Sequence, residues 1–123
     1  MTWLVSLGLY TVVSYCCIGR GGSYCGRTAS GAPVGPGTVA ADTRLLPFGS
    51  RLYVPEYGMA VVRDTGGAVK GRVLDVWFYD CADAWRWGRR SLEIRRVVWV
   101  PLPDPPEPEA ADETNEGTDV DGG

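Results

Sequence analysis

Glycine or proline interrupts the chain at short intervals between Leu7 and Val100, and the stretches left between these breaks favour strands over helices. Leu7 to Tyr15 is rich in β-branched and aromatic residues and predicts a strand. Cys16 to Gly37 carries seven glycines and predicts a loop. Short strands are then expected over Val39–Ala41, Arg51–Val54, Met59–Arg63 and Val73–Phe78, with a last one over Leu92–Val100. Pro47-Phe48-Gly49 and Pro55-Glu56-Tyr57-Gly58 supply turns. The single helical candidate is Ala82–Trp87, a turn or two that stops at Gly88. Many short strands joined by tight turns imply a closed barrel or a sandwich, and a barrel has the advantage of leaving no open edge.

The first 19 residues look superficially like an export signal, but no Lys or Arg precedes Arg20, so the charged n-region is missing. Ser6, Gly8, Thr11 and Ser14 also break the apolar run below the length of a membrane span, so no stable membrane insertion is expected. From Pro101 the composition changes abruptly: five prolines stand within eight residues and the acids crowd together. Residues 101–123 are therefore expected to form a disordered, solubilising tail, and residues 5–100 the folded domain.

Charge divides in the same way. All 12 Lys and Arg lie before Pro101 beside only seven acids, giving a body of +5 and a tail of −8. A basic body suits an anionic polymer, whether nucleic acid, membrane or cell wall. The chain has no His, which removes Ser-His-Asp triads, Cys-His dyads and His-based zinc sites. No Cys-x-x-Cys pair occurs among Cys16, Cys17, Cys25 and Cys81, which argues against a zinc knuckle, and no metal or other cofactor is expected. One long-range disulfide with two spare thiols, or four thiols in a reducing compartment, both fit the spacing.

Three stretches gather small and acidic residues at turns: Thr28-Ala29-Ser30-Gly31; Val39-Ala40-Ala41-Asp42 with Leu46-Pro47-Phe48-Gly49-Ser50; and Asp64-Thr65-Gly66-Gly67-Ala68-Val69-Lys70-Gly71 running on to Asp75-Val76. With the Ala84-Trp85-Arg86-Trp87-Gly88-Arg89-Arg90 segment, these residues resemble the three-aspartate (3D) domain family, over about Tyr10 to Val100. A lone Asp-Thr-Gly would also suit an aspartic protease, but Lys70-Gly71 and Asp75 argue against that reading. The resemblance implies an all-β, six-stranded double-psi β-barrel. It also implies action on peptidoglycan glycan strands outside the cytoplasm: extracellular, periplasmic or wall-associated, with a phage-borne lysin or tail component left open. The family's aspartates fall on Asp42, Asp64 and Asp75, and the alignment of the third block puts the catalytic acid on Asp75. Thr28, Ser30, Thr65 and Lys70 are the expected substrate-binding residues, Lys70 as the cation that keeps a partner carboxylate ionised. A barrel of this kind brings the ends of the first and fifth strands together, so Cys81 is expected to pair with Cys16 or Cys17.

The chemistry asks for an acid still protonated near neutral pH, whereas free Asp titrates near 4. Crowded carboxylates and an aromatic wall, here Trp77 and Phe78, would raise one of them. The activity implied is a lytic transglycosylase on the MurNAc-GlcNAc β-1,4 link, in which the sugar's own C6 hydroxyl attacks and one acid then serves as base. Against it stand a noncatalytic carbohydrate-binding or virion barrel and a nucleic-acid binder; interleaved Arg and aromatics occur only around Trp85–Arg90, which disfavours the last. Trp85 and Trp87 are expected in the core. Aspartates at turns commonly brace loops, which is the bland alternative for each of the three.

Overall fold

The computed structural model describes residues 1–101 and Pro105. Strands β1 (Thr2–Ile18), β2 (Thr38–Ala41), β3 (Arg51–Val54), β4 (Gly58–Asp64) and β5 (Val73–Asp80) are followed by helix α1 (Cys81–Trp87) and strand β6 (Arg90–Trp99). The strands close in the order β1-β5-β2-β4-β3-β6. Two seams, β1·β5 and β2·β4, are parallel, and the rest are antiparallel. This is the six-stranded barrel with one short helix that the sequence predicts. The tail expected to be disordered lies outside the described residues, apart from Pro101 and Pro105.

Alternation along each strand builds the core. Val12, Val39, Leu52, Val54, Val62, Leu74, Val76 and Ile94 are all 0% exposed and meet inside the barrel. Each such side chain contributes roughly 1.5–3 kcal/mol by leaving water. The partners of these residues in the alternation, Asp75 and Trp77 on β5 among them, therefore stand on the outer face.

β1 is longer than the expected Leu7–Tyr15. Thr2–Ser6 continue as a ribbon against Arg95–Trp99, and there Trp3, Leu4, Val5 and Trp99 remain exposed. A register shift between Ser6 and Gly8 separates ribbon from barrel. Gly8 makes that shift with φ +83°, and a Cβ there would lie 2.5 Å from the Arg72 guanidinium, which donates to the carbonyls of Leu7 and Leu9. Glycine satisfies both demands at once.

α1 starts one residue before the expected Ala82, because the Asp80 side chain accepts from the Ala82 N–H at 2.8 Å and caps it. It buries Cys81, Ala84 and Trp87. Trp87 is a core residue as expected, but Trp85 is not: it falls on the other side of this short helix and is 72% exposed.

The expectation of spare thiols is also corrected. Cys16 bonds to Cys81 and Cys17 to Cys25, with Cα separations of 5.0 and 4.9 Å, and no cysteine is free. Adjacent residues on a strand point to opposite faces, so Cys16 and Cys17 reach different partners without competing.

Cys16–Cys81 spans 65 residues and should restrict the unfolded chain by about 4 kcal/mol in the chain-entropy account. Paired Cys16→Ser/Cys81→Ser replacement is expected to lower the denaturant-unfolding free energy by up to that amount. Loss of the short Cys17–Cys25 link should cost clearly less. Equal losses from the two pairs in urea titrations would contradict this assignment of the stabilisation.

Candidate functional site

Ala40 organises the site. It lies opposite Asp75 on one neighbouring strand and opposite Asp64 on the other. Strands stand about 4.8 Å apart, so the two aspartates flank a single methyl group with their Cα atoms about 10 Å from each other. Simple alternation would not put Asp64 there: Ala60 and Val62 point inward, and Asp64 would follow them. A register shift between Val39 and Ala40 inserts one extra residue on β4 and turns Asp64 out to the face that bears Asp75.

The β1–β2 loop covers this face. The Trp77 indole donates to the Tyr24 carbonyl at 2.8 Å, and the Tyr15 and Tyr24 rings meet edge-on at 5.1 Å. Asp64 accepts from the Tyr15 hydroxyl at 3.1 Å and from the Ala29 and Thr65 N–H groups at 3.0 Å each. Burial, then the Asp64 carboxylate, push the Tyr15 phenol well above its usual value, so it acts as a donor to Asp64. Asp75 is in the opposite situation. Its Oδ1 is buried and meets no hydrogen-bond partner among the described residues. Burial, with the charge of Asp64 second, pushes its carboxyl up to about 6.

Asp42 sits two residues beyond Ala40 and does something else. It is 3% exposed, and both oxygens are engaged: Arg44 approaches bidentately at 3.0 and 2.8 Å, and the Arg44 and Gly71 N–H groups donate at 3.1 and 2.9 Å. Arg44, followed by the Gly71 N–H, holds the Asp42 carboxyl well below the usual range. Asp42 is therefore placed as a brace between the end of β2 and the turn leading into β5, with both oxygens taken up by Arg44 and Gly71. Lys70, expected to hold a carboxylate ionised, is exposed and makes no ion pair among the described residues; Arg44 has that function.

The other expected residues divide. Thr28 is buried and shares with Asp64 the lining of a cavity of about 110 Å³. Its hydroxyl is spent on the Ala32 carbonyl and on Ser30 Oγ, each at 2.9 Å. Ser30 thus shapes the turn that aims the Ala29 N–H at Asp64. Thr65 reaches Asp64 through its backbone, and its side chain is exposed. Tyr15 and Arg44 were absent from the sequence-derived set. Arg44 was within reach as a local Asp-x-Arg contact, whereas Tyr15 depends on the β1·β5 register, which opposes it to Trp77.

A family model described as the 3D domain matches residues 37–98. The putative cell wall shaping protein YabE of Bacillus subtilis (strain 168) is 40% identical over 57 residues, covering 46% of this chain and 14% of that protein. The cell wall-binding protein YocH of the same organism is 34% identical over 89 residues, covering 69% of this chain and 31% of that protein. The chain thus spans less than a third of the length of either relative. Among solved structures, E. coli MltA with bound chitohexaose superposes with a TM-score of 0.54 at 22% identity, over 63% of this chain and 28% of that one. A second MltA structure, described as a unique lytic transglycosylase fold, gives 0.53 at 23% identity over 63% and 28%. At this identity the likeness is one of fold.

Two aspartates with opposite environments should have opposite pH signatures. The raised Asp75 contributes its stability below its ordinary value of 3.8 and loses it as pH rises through about 6. Asp75→Asn, which cannot ionise, should therefore gain on the parent between pH 4 and pH 8, by at most about 3 kcal/mol. Melting curves at the two pH values check this, and a pH-independent difference would refute the raised value. Asp42, held low, contributes stability above its ordinary value of 3.8 that fades as pH falls below it. Asp42→Asn should accordingly melt lower than the parent at pH 7, with the gap narrowing on acidification.

Proposed function

The chain belongs to the 3D domain family, and from that premise we propose that it acts on the bacterial cell wall as a peptidoglycan lytic transglycosylase, with residues 5–100 as the active unit. The observation that carries the reading is Asp75: a carboxyl raised to about 6, with a buried oxygen that has no partner among the described residues, beside a second aspartate. An acid in that state can deliver a proton near neutral pH. The name of YocH and the chitohexaose bound to MltA support a wall glycan as the ligand class. Two disulfides support an oxidising location outside the cytoplasm, at or near the wall.

In the proposed mechanism Asp75 donates its proton to the oxygen linking MurNAc C1 to GlcNAc as the C1–O bond breaks, and GlcNAc leaves with a free hydroxyl. The Asp75 carboxylate then takes the proton of the MurNAc C6 hydroxyl while that oxygen bonds to C1. A 1,6-anhydro ring results, Asp75 returns to its acid form, and no water or cofactor is consumed. Asp64, fixed by Tyr15, Ala29 and Thr65, presents its negative charge to the positive character that develops at C1. Asp42 acts through position, by tying the turn before β5 to β2.

A noncatalytic wall-binding barrel is the second reading, favoured by the fact that YabE and YocH are named for shaping and binding rather than cleavage. Digestion of purified sacculi separates the two. The parent should release anhydro-sugar ends detectable by mass spectrometry, and Asp75→Asn should lose about 10²–10⁴-fold in rate. The parent's kcat/KM should fall tenfold per pH unit above about 6, where Asp75 loses its proton. Intact glycan from a folded parent would install the binding reading, and reducing ends would indicate a hydrolase.

A further inference from the structure

Asp75, Trp77 and Tyr79 alternate onto the outer face of β5, so one strand carries an acid, an indole and a phenol at intervals of about 7 Å. Next to the two rings opens a groove of about 390 Å³ lined by Pro36, Gly37, Tyr57, Met59, Trp77 and Tyr79. The Trp77 and Tyr79 rings stand 6.3 Å apart at an interplanar angle of 65°, forming a bent aromatic wall. Trp77 is 4% exposed and fixed by its bond to Tyr24, whereas Tyr79 and Met59 are 59% and 54% exposed. Exposed apolar groups flanking a concave, otherwise well-packed site are the part of a surface that calls for an explanation.

Resting on the glycan-cleaving reading, we propose that this groove binds a further sugar ring of the same strand, beyond the ring held at Asp75, with Tyr79 as its stacking platform. A pyranose offers C–H groups on its faces and hydroxyls around its edge. The aromatic wall suits the faces. Glu56 also lines the groove and is its one charged group among the described residues; its carboxylate suits the edge as an acceptor for hydroxyls, even while paired with Arg90. The same carboxylate repels phosphate, so a nucleotide strand is a poor occupant despite the stacking surface. Trp77 would be the fixed element shared by the groove and the covered face of the acid pair, and Tyr79 the residue that sets how many rings are held.

The test uses the full chain carrying Asp75→Asn, so that ligand is not consumed, and titrates it calorimetrically with chito-oligosaccharides of three and six rings. Six rings should bind more tightly than three. Adding Tyr79→Ala should weaken six-ring binding about tenfold and bring it close to three-ring binding, while Tyr79→Phe restores it. Because Tyr79 is mostly exposed, unchanged melting temperatures should show that the fold is intact. Equal six-ring affinity with and without Tyr79→Ala, or no binding of either oligomer, overturns the groove assignment. Failure of the transglycosylase reading is seen separately, as sacculi that the parent leaves uncut.

Discussion

Everything distinctive about this molecule depends on the placement of two carboxylates on either side of Ala40. A mixed barrel puts β2 between β4 and β5, and the register shift at Val39/Ala40 turns Asp64 to the outer face. Without it Asp64 would point into a core of Val39, Val62, Leu74 and Val76, where an unpaired charge costs several kcal/mol. With it, Asp64 lies across from Asp75 and finds three donors. Asp75 has no such donors: burial first, and the nearby Asp64 charge second, raise its carboxyl, and its buried Oδ1 meets no partner among the described residues.

The covering loop completes this arrangement, and it is held by means other than a hydrophobic core. Tyr24 receives the Trp77 indole, Ala29 reaches Asp64, and Ser30 donates its N–H to the Arg63 carbonyl at 3.1 Å. Cys17–Cys25 closes the loop on itself, and Cys16–Cys81 ties its root to the start of α1. Gly22 sits so close to the Cys17 carbonyl and the Cys81 sulfur that a Cβ would fall 2.2 and 2.8 Å from them. The loop is thus seated against the two disulfides, and a chain this short gains from such covalent links because its core alone is small.

The fold was largely legible because its elements are marked by local chemistry. Gly and Pro punctuate the strands, the core positions of β4 and β5 alternate cleanly, and Asp80 and Gly88 bracket the helix. What sequence could not supply was register. The identities of Asp64 and Asp75 were visible, but their convergence depends on a one-residue shift that leaves no trace in composition. Tyr15 as partner of Asp64 depends on parallel pairing across half the chain. Lys70 looked like the natural counter-charge for its nearness in sequence, yet the turn at Gly71 leaves it exposed, and the backbone N–H of Gly71 reaches Asp42 instead. Trp85 shows the same limit in reverse: seven helical residues have one buried face, and two aromatics two residues apart cannot both occupy it.

Asp42 and Asp75 together show why three aspartates in one pattern need not share one role. Asp42 has more hydrogen bonds than any other carboxylate described above and a strongly lowered pKa; it is at its most stabilising when ionised and has no oxygen to offer a ligand. Asp75 is raised, its buried Oδ1 has no partner among the described residues, and it is unfavourable to the fold once ionised. A carboxyl whose pKa lies near neutrality cannot also be a well-satisfied anchor, because each hydrogen bond to the charged form would pull its pKa down. The Arg44–Asp42 brace fixes the turn that leads into β5, and that rigidity lets the strand hold Asp75 in an environment it does not favour. The well-satisfied carboxylate stands just past the end of β2, and the raised one lies across from Ala40, two residues earlier in the chain.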